Sequence, residues 1–326
     1  MRAIVVQQPG GPEELVLSQV EEPQPGPGEV KISVRAAGVN RADILQRRGF
    51  YPPPKGITDI LGLEVSGVVV GHGPDVQDSS PKVGDPVIAL LAGGGYADFV
   101  VVPAGQCAPP PAGMDFTEDA AIMETSATVV SNFDHINVSP GETVLIHGGA
   151  GGIGSFAIPY AVHLGCRVIT TVGSQEKAAY ARSIGAETAI DYHGDWEAEV
   201  RDATAGKGVD AILDIMGAKY LEANVNLLAR GGRMVVIGLQ GGTKGTLDLN
   251  RLLSKGATIT ATSLRFRPIA EKSKIVSEVA QRIWPLFESG QIGVPPITAF
   301  PIDQATQAHQ ALESGANHGK IVLQLT

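Results

Sequence analysis

A glycine-rich run, Val144-Leu145-Ile146-His147-Gly148-Gly149-Ala150-Gly151-Gly152-Ile153-Gly154, separates a strand-like segment from a helix-like one and limits the possible folds more than any other feature. Gly149, Gly151 and Gly154 give the spacing G-x-G-x-x-G. One such glycine permits a tight turn, one lets a pyrophosphate approach the backbone, and one lets the helix pack on the strand. The N-terminus of that helix, reached through Gly152 and Ile153, offers unpaired N–H groups and a positive dipole end to phosphate. A glycine triplet alone is weak evidence, because a tight turn in a glycine-rich chain reads the same way. Its place between a strand and a helix, with further strand–helix units following, makes it a dinucleotide-binding loop.

Those further units are legible as alternating patterns. Strands are predicted at residues 143–146, 167–172, 188–191, 209–215, 233–237 and 258–263, and helices at 155–164, 175–184, 196–203 and 219–228. Such alternation predicts right-handed crossovers and a doubly wound parallel sheet, so the fold class is α/β. The residues before this region look different. Short apolar runs at 30–34, 65–70 and 87–91 are punctuated by Gly and Pro, which predicts a compact β-rich domain. Thr117 is the predicted cap of a helix running toward Phe133. After about residue 265 the pattern is irregular and amphipathic, until one more strand at 321–325 that could return to the first domain.

Composition sets outer bounds. With 43% hydrophobic and 18% charged residues, 326 residues can build substantial cores. A formal net charge of -9 disfavours nucleic acid as a partner, although local positive charge can still hold one small phosphate. Cys107 and Cys166 are the only cysteines; they make neither a disulfide framework nor a zinc site, which suits a reducing cytoplasm. Residues 1–7 lack the apolar stretch of a signal peptide, and no window is long and apolar enough to span a membrane.

The choice of dinucleotide depends on the end of the second strand of the alternating region. An NAD site places Asp or Glu there to hold the ribose hydroxyls. This strand ends Thr171-Val172-Gly173-Ser174-Gln175-Glu176-Lys177, with no carboxylate at its tip. Gly173, Ser174 and Lys177 leave room for a 2′-phosphate and can bind it, which predicts NADPH as the cofactor. One charge-assisted hydrogen bond of roughly 1.5–3 kcal/mol corresponds to about ten- to more than a hundredfold in affinity. Ser174 also reads as a helix N-cap, and Lys177 as a solvated helix residue. Tyr192 follows the third strand and either donates to the same phosphate or merely packs beside it. Glu176 opposes the reading and has to point away.

Taken together, these motifs resemble the medium-chain dehydrogenase/reductase superfamily, and within it the zinc-free quinone oxidoreductases, closest to the p53-inducible group. The resemblance covers essentially the whole chain. Its carriers are Ala36 to Asp43, Gln46 to Pro54, Leu61 to Gly67, the glycine loop, Gly173 to Lys177, Gly231 to Gly242, Ser263 to Arg265, and Gly319 to Leu323. The family implies a GroES-like catalytic domain from residues 1–122 and 266–326, a Rossmann NADP-binding domain from 123–265, and a cofactor cleft between them. It further implies that Asn40 and Thr128 approach the nicotinamide, that Leu239, Gln240 and Gly241 line it, and that Ser263, Leu264, Arg265 and Asn317 lie near the cofactor. Zinc-dependent relatives carry Cys and His in the regions of Asn40 and Leu63, and their cysteine-rich lobe is missing here. A catalytic zinc needs about three protein ligands, so no metal is expected. His147 reads as structural. Relatives in the p53-inducible group can carry Ser where this chain has Gly151.

Alcohol oxidation generates an alkoxide, which zinc makes accessible by lowering the pKa of the bound oxygen. A quinone needs less help, because aromatisation drives hydride acceptance and positioning plus one or two hydrogen bonds suffices. Tyr51, in a proline-stiffened loop, is either the proton donor or only a pocket wall. Asn40 is either an orienting amide or a turn residue. Asp43 reads as structural, and Arg47 and Arg48 as solvent-facing. Three functions fit: an NADPH-dependent quinone reductase, a reductase of α,β-unsaturated carbonyls, or an NADPH-binding protein without turnover. The strand at 258–263 lacks proline and would form a sheet edge that pairs with a second subunit, which predicts a homodimer.

Overall fold

The computed structural model describes residues 1–77 and 80–325. They form two compact units. The first comprises Met1–Ala127 and the chain from Leu264 onward, and the second is Thr128–Ser263. In chain order the first stretch supplies β1 (Arg2–Val6), β2 (Leu15–Gln19), β3 (Glu29–Val39), β4 (Glu64–His72), β5 (Pro86–Leu90), β6 (Phe99–Pro103) and β7 (Cys107–Ala108). The second unit supplies β8 (Thr143–His147), β9 (Arg167–Val172), β10 (Thr188–Asp191), β11 (Val209–Asp214), β12 (Leu228–Val236) and β13 (Thr258–Ala261). The last stretch supplies β14 (Ile297–Pro301) and β15 (Lys320–Gln324).

In the first unit, the sheet order is β14-β15-β3-β4-β5-β7, with β6 also paired to β3. The short apolar runs read from the sequence fall on β3, β4 and β5, the third running one residue past the end of β5. Val30, Ile32, Val34, Val65, Val69 and Val87 from these strands point into one core together with Leu61, Tyr96 and Leu323. The last strand does join this sheet: β15 runs antiparallel to β3, with Ile321 opposite Val39 and Gln324 opposite Ala36.

A polar chain threads the same unit. Arg47 Nη1 donates to His309 Nδ1 at 3.1 Å and Nη2 to Glu313 Oε1 at 2.7 Å. With Nδ1 accepting, His309 Nε2 donates to Tyr96 Oη at 3.2 Å, and that hydroxyl donates to Asp43 Oδ2 at 3.2 Å. The sequence reading of Arg47 as solvent-facing is therefore corrected: its side chain is fully buried, because helix Ala305–Ser314 brings His309 and Glu313 over it. Arg48 remains about half exposed and shares Glu313. Asp43 is structural; it accepts from the backbone N–H groups of Asn40 and Gly62, and burial lifts its pKa to about 6.

The second unit is a parallel six-stranded sheet in the order β10-β9-β8-β11-β12-β13. Strand order reverses between β8 and β11, and in such sheets ligands bind beyond the carboxyl ends of the strands at that reversal. The α/β fold read from the alternation is thus observed. Two local expectations shift. Asp115, not Thr117, caps the helix at Phe116–Asp119; its carboxylate accepts from Thr117 and Glu118 N–H, and Glu118 reaches back to Asp115 N–H. The long helix toward Phe133 is interrupted and resumes at Met123–His135.

His147 is buried, as its structural reading requires. It donates from Nε2 to Asn224 Oδ1 at 2.8 Å and accepts at Nδ1 from Thr171 Oγ1 at 3.0 Å. Burial lowers its pKa to about 4. Because the native ring stays neutral while the unfolded ring charges below about 6.5, this residue contributes stability fully above pH 6.5 and loses it as pH falls through about 4. His147→Gln is expected to flatten the dependence of the urea midpoint on pH across that window, by roughly 3 kcal/mol in total. An unchanged slope in paired urea titrations at pH 4 and pH 7 would count against a neutral buried ring.

Candidate functional site

The chemistry-bearing loops of the second unit gather at one end of its sheet. After β8 comes the glycine loop, with Gly151 as N-cap of helix Gly152–His163, so Gly152, Ile153 and Gly154 form its first turn. The helix begins three residues earlier than the apolar pattern suggests, since glycines carry no side chain to mark a face. The three motif glycines are there for different reasons. A Cβ on Gly154 would lie 2.4 Å from Gly149 Cα and 2.5 Å from Gly148 O, and one on Gly149 would lie 2.2 Å from Thr170 Oγ1. These two are dictated by strand–helix packing. Gly151 is not: its φ of -81° is open to any residue, and a Cβ would meet only Gly148 O at 3.6 Å. The protein itself gives no reason for glycine there, and the position is solvent-exposed. It leaves a cradle in which an approaching phosphate meets bare backbone.

After β9, Ser174 caps helix Gln175–Ser183 and accepts from Lys177 N–H at 3.2 Å. The hydroxyl proton of Ser174 is left to donate elsewhere. Tyr192 follows β10, and its hydroxyl passes over Gly173 so closely that a Cβ on that glycine would lie 2.3 Å from it. Gly173, Ser174, Lys177 and Tyr192 are therefore neighbours at two adjacent strand ends, and Tyr192 is 41% exposed. Glu176 is exposed on the first turn of the same helix.

After β11, Asp214 accepts from Met216 N–H at 2.7 Å and Gly217 N–H at 3.0 Å, and burial raises its pKa to about 6. The turn it holds is bonded to the loop after β12: Gln240 N–H donates to Ile215 O at 3.2 Å and Gly241 N–H to Met216 O at 2.7 Å. Leu239, half exposed, projects from that loop. Asp214 was missed in the sequence, where one strand-end carboxylate looks like any other. Thr128 is buried at the start of this unit and its carbonyl accepts from Asn132 Nδ2. Ser263 ends the unit beyond β13.

The remaining candidates belong to the first unit. Asn40 is buried, and both ends of its amide are held: Nδ2 donates to Glu64 Oε1 at 2.9 Å, and Oδ1 accepts from Lys320 Nζ at 2.7 Å. Lys320 also bonds Glu64 Oε1 at 2.6 Å, and Glu64 Oε2 accepts from Glu124 N–H. Glu64 fits because Gly38 opposite it has no side chain; a Cβ there would sit 2.3 Å from Oε1. Glu64 and Lys320, which the sequence reading gave no role, are what fix the direction of the Asn40 amide. Tyr51 lies elsewhere in the unit, edge-on to Phe266 with ring centroids 5.4 Å apart and under the Arg265 guanidinium at 5.3 Å. Leu264 precedes Arg265, and Asn317 is half-buried in the loop before β15.

Among the described residues no group of three or more His, Cys, Asp or Glu side chains could hold a metal ion. Beside Asn40 the carboxylate of Glu64 is already matched by a cation of the protein's own, Lys320. The residues present do not fit a catalytic zinc.

Comparison with known proteins identifies the family. Residues 26–112 match the alcohol dehydrogenase GroES-like domain, and residues 152–281 match the zinc-binding dehydrogenase family. A quinone oxidoreductase of Pseudomonas aeruginosa is 33% identical over 318 residues, covering 96% of each chain. A 2-haloacrylate reductase of a Burkholderia species is 31% identical and covered to 98%, as is this chain. The solved structure of a mycobacterial protein complexed with NADPH superposes with a TM-score of 0.91 at 34% identity over 100% of both chains. Other relatives are far longer: this chain spans only 15% of the phthioceranic/hydroxyphthioceranic acid synthase of Mycobacterium tuberculosis, at 32% identity. The chain belongs to the medium-chain dehydrogenase/reductase superfamily, in its group of zinc-free quinone oxidoreductases.

Proposed function

We propose that this protein is an NADPH-dependent reductase that delivers a hydride to quinones or similar small electrophiles without a metal. The observation that supports the reading is that Gly173, Ser174 and Tyr192 meet at two adjacent strand ends, with Lys177 in the first turn of the helix Ser174 caps, where an NAD site would place a carboxylate. Gly151 is consistent with it, because the fold leaves open space at that position beside the helix N-terminus.

When bound, the reduced nicotinamide supplies the hydride; the residues of the chain bind, orient and protonate. Gly151, Gly152 and Ile153 would hold the pyrophosphate at a helix N-terminus. Asn40, its amide locked by Glu64 and Lys320, presents its remaining N–H and lone pair in a fixed direction. Tyr51 is the proposed proton donor, since a phenol can act as a general acid. Leu239, Gln240 and Gly241, with Thr128, Ser263, Leu264 and Asn317, are the proposed walls of the nicotinamide end.

Lys177→Glu is expected to weaken NADPH binding ten- to more than a hundredfold while changing NADH binding far less. Fluorescence titration with both nucleotides tests this, and equal losses for both would remove the basis of the cofactor assignment. Turnover is tested by NADPH oxidation across a quinone panel and an alkenal panel. The second reading, a reductase of α,β-unsaturated carbonyls, is favoured by the likeness to a 2-haloacrylate reductase, and would be chosen if only the alkenals support turnover. NADPH binding with no acceptor-dependent oxidation would instead indicate a binding protein.

We further propose a cytoplasmic homodimer. Both thiols are free, and among the described residues no helix is long and apolar enough to cross a membrane. Strand β13 pairs only with β12 and is half exposed, and Leu249 and Leu253 stand 68% and 80% exposed on helix Leu249–Lys255. Light scattering at micromolar concentration is expected to give twice the chain mass.

A further inference from the structure

Arg265 is a buried cation without a counter-ion. Its side chain lies in a residue only 4% exposed. Nε donates to Ala92 O at 2.7 Å and Nη1 to Tyr51 O at 3.2 Å, and the guanidinium lies over the Tyr51 ring. Nη2 is buried and has no hydrogen-bond partner. No carboxylate among the described residues forms an ion pair with it. Burial lowers its pKa, while Tyr51 and Asp43 act in the other direction. Lys272, 5% exposed, is a second cation nearby; burial lowers its pKa and the charge of Arg265 lowers it further.

A buried charge is costly unless it is paired, and a buried N–H left unmade costs about 1–3 kcal/mol, more when the group is charged. The other buried cations of this unit obey that rule: Arg47 is matched by Glu313 and Lys320 by Glu64. Arg265, over the face of the ring proposed to protonate the acceptor, breaks it, and Lys272 is a second buried cation on which the charge of that guanidinium acts. An oriented guanidinium with one free arm, reinforced by an ammonium, recognises an oxyanion or carboxylate.

We infer that the free arm of Arg265, backed by Lys272, binds an anionic oxygen of the hydride acceptor, which makes Arg265 a catalytic residue for acceptors that carry or develop such an oxygen. The inference rests on the reductase reading above and adds the electrostatics of the acceptor side. That oxygen has two sources. It is either a carboxylate the acceptor already carries, or the oxygen on which charge collects as hydride arrives. In the second case the acceptor gains a hydride with its electron pair from the reduced nicotinamide, which is left oxidised. The displaced π electrons move to the acceptor oxygen, Arg265 holds that oxyanion, and a proton from Tyr51 Oη, replaced from water, completes the reduction. The ring of Tyr51 packed against Arg265 places donor and anion binder side by side.

The test compares wild type with Arg265→Gln and Arg265→Lys at saturating NADPH. The acceptors are 1,4-naphthoquinone and 1,4-naphthoquinone-2-carboxylate, with NADPH Kd measured by fluorescence and folding by circular dichroism. Arg265→Gln is expected to lower kcat/KM ten- to a hundredfold, with NADPH Kd within about twofold of wild type. A loss in KM confined to the carboxylate identifies the substituent as the anion; a loss in kcat with both identifies the developing oxyanion. If Arg265→Gln does not fold, Arg265→Lys decides, since it keeps the charge and loses the free fork arm; wild-type kinetics there would overturn the inference. So would a rise in NADPH Kd that accounts for the whole loss, which would assign Arg265 to a cofactor phosphate. Wild type that oxidises NADPH with neither quinone removes the quinone reading. Titration of the protein with naphthoquinone carboxylate, followed by Tyr fluorescence in wild type and variants, then tests Arg265 without turnover: binding lost with the guanidinium supports the site, and equal binding overturns it.

Discussion

A methyl group at Gly154 is expected to collapse the nucleotide-binding unit, while a larger side chain at Gly151 is expected to leave the fold intact and remove only cofactor affinity. At Gly154 the new Cβ would lie within 2.5 Å of the Gly149 and Gly148 backbone, atoms that cannot rotate away. Overpacking of a well-packed site costs typically 1–3 kcal/mol, and a clash against backbone belongs at or beyond the top of that range. Gly154→Ala should therefore lose about 3 kcal/mol or more, a fall in Tm on the order of 10 °C. Gly151 differs in every respect that matters to folding: ordinary φ, open space and an exposed N-cap position. Gly151→Thr puts a good N-cap residue there, so Tm should hold or rise. Its branched side chain would occupy the cradle meant for phosphate, and NADPH affinity should fall about tenfold or more, roughly one charge-assisted hydrogen bond. Calorimetry and nucleotide titration on both variants separate the two roles. Wild-type NADPH affinity in Gly151→Thr would mean that the pyrophosphate does not sit at this loop.

Lys320→Met is expected to be as damaging to the first unit, by a different route. Lys320 and Glu64 are 3% and 0% exposed and 2.6 Å apart. Removing one partner of a buried pair leaves an uncompensated charge, which costs about 3–5 kcal/mol. Replacing both with neutral residues removes that penalty, so Glu64→Gln combined with Lys320→Met should recover much of the loss. A double-mutant cycle by urea unfolding measures the coupling directly. Additive losses would show that the ion pair is not what holds this corner. The double variant should also be slow with any acceptor, because the amide of Asn40 loses its ammonium partner at one end and a carboxylate at the other.

These examples indicate which parts of the molecule can be read from sequence. Strands β9 and β10 and the helix at Trp196–Ala203 begin and end where their apolar patterns place them. Each is a short segment whose neighbours lie close along the chain, the two strands largely buried and the charged helix buried only at Val200. The glycine loop was legible because its constraint is local, within a strand, a turn and a helix. Arg47 was misread for the opposite reason. Nothing near it in sequence signals burial; its partners His309 and Glu313 lie more than 260 residues away. Glu64 and Lys320 were missed likewise, each unremarkable until β15 is laid beside β3. Thr117 lost the capping role to Asp115, two positions earlier, because a carboxylate can accept from two N–H groups at once. Helix Ile269–Arg282 went unassigned in a stretch that looked irregular. Its N-cap is Pro268, with no Ser, Thr or Asp to announce it.

The pairing of β15 with β3 also orders events on the ribosome. Strand β3 leaves the exit tunnel before residues 128–263, yet the neighbour at its Ala36–Val39 end is translated only after them. Until then, that edge of the sheet stays open and Glu64 waits without its ammonium, while the whole of residues 128–263 is threaded out in between. The intervening segment has all its strand partners within itself and can settle as soon as it is clear. Translation stalled short of Lys320 would thus leave a completed nucleotide-binding unit tethered to an unsealed sheet, the kind of exposed edge that recruits chaperones.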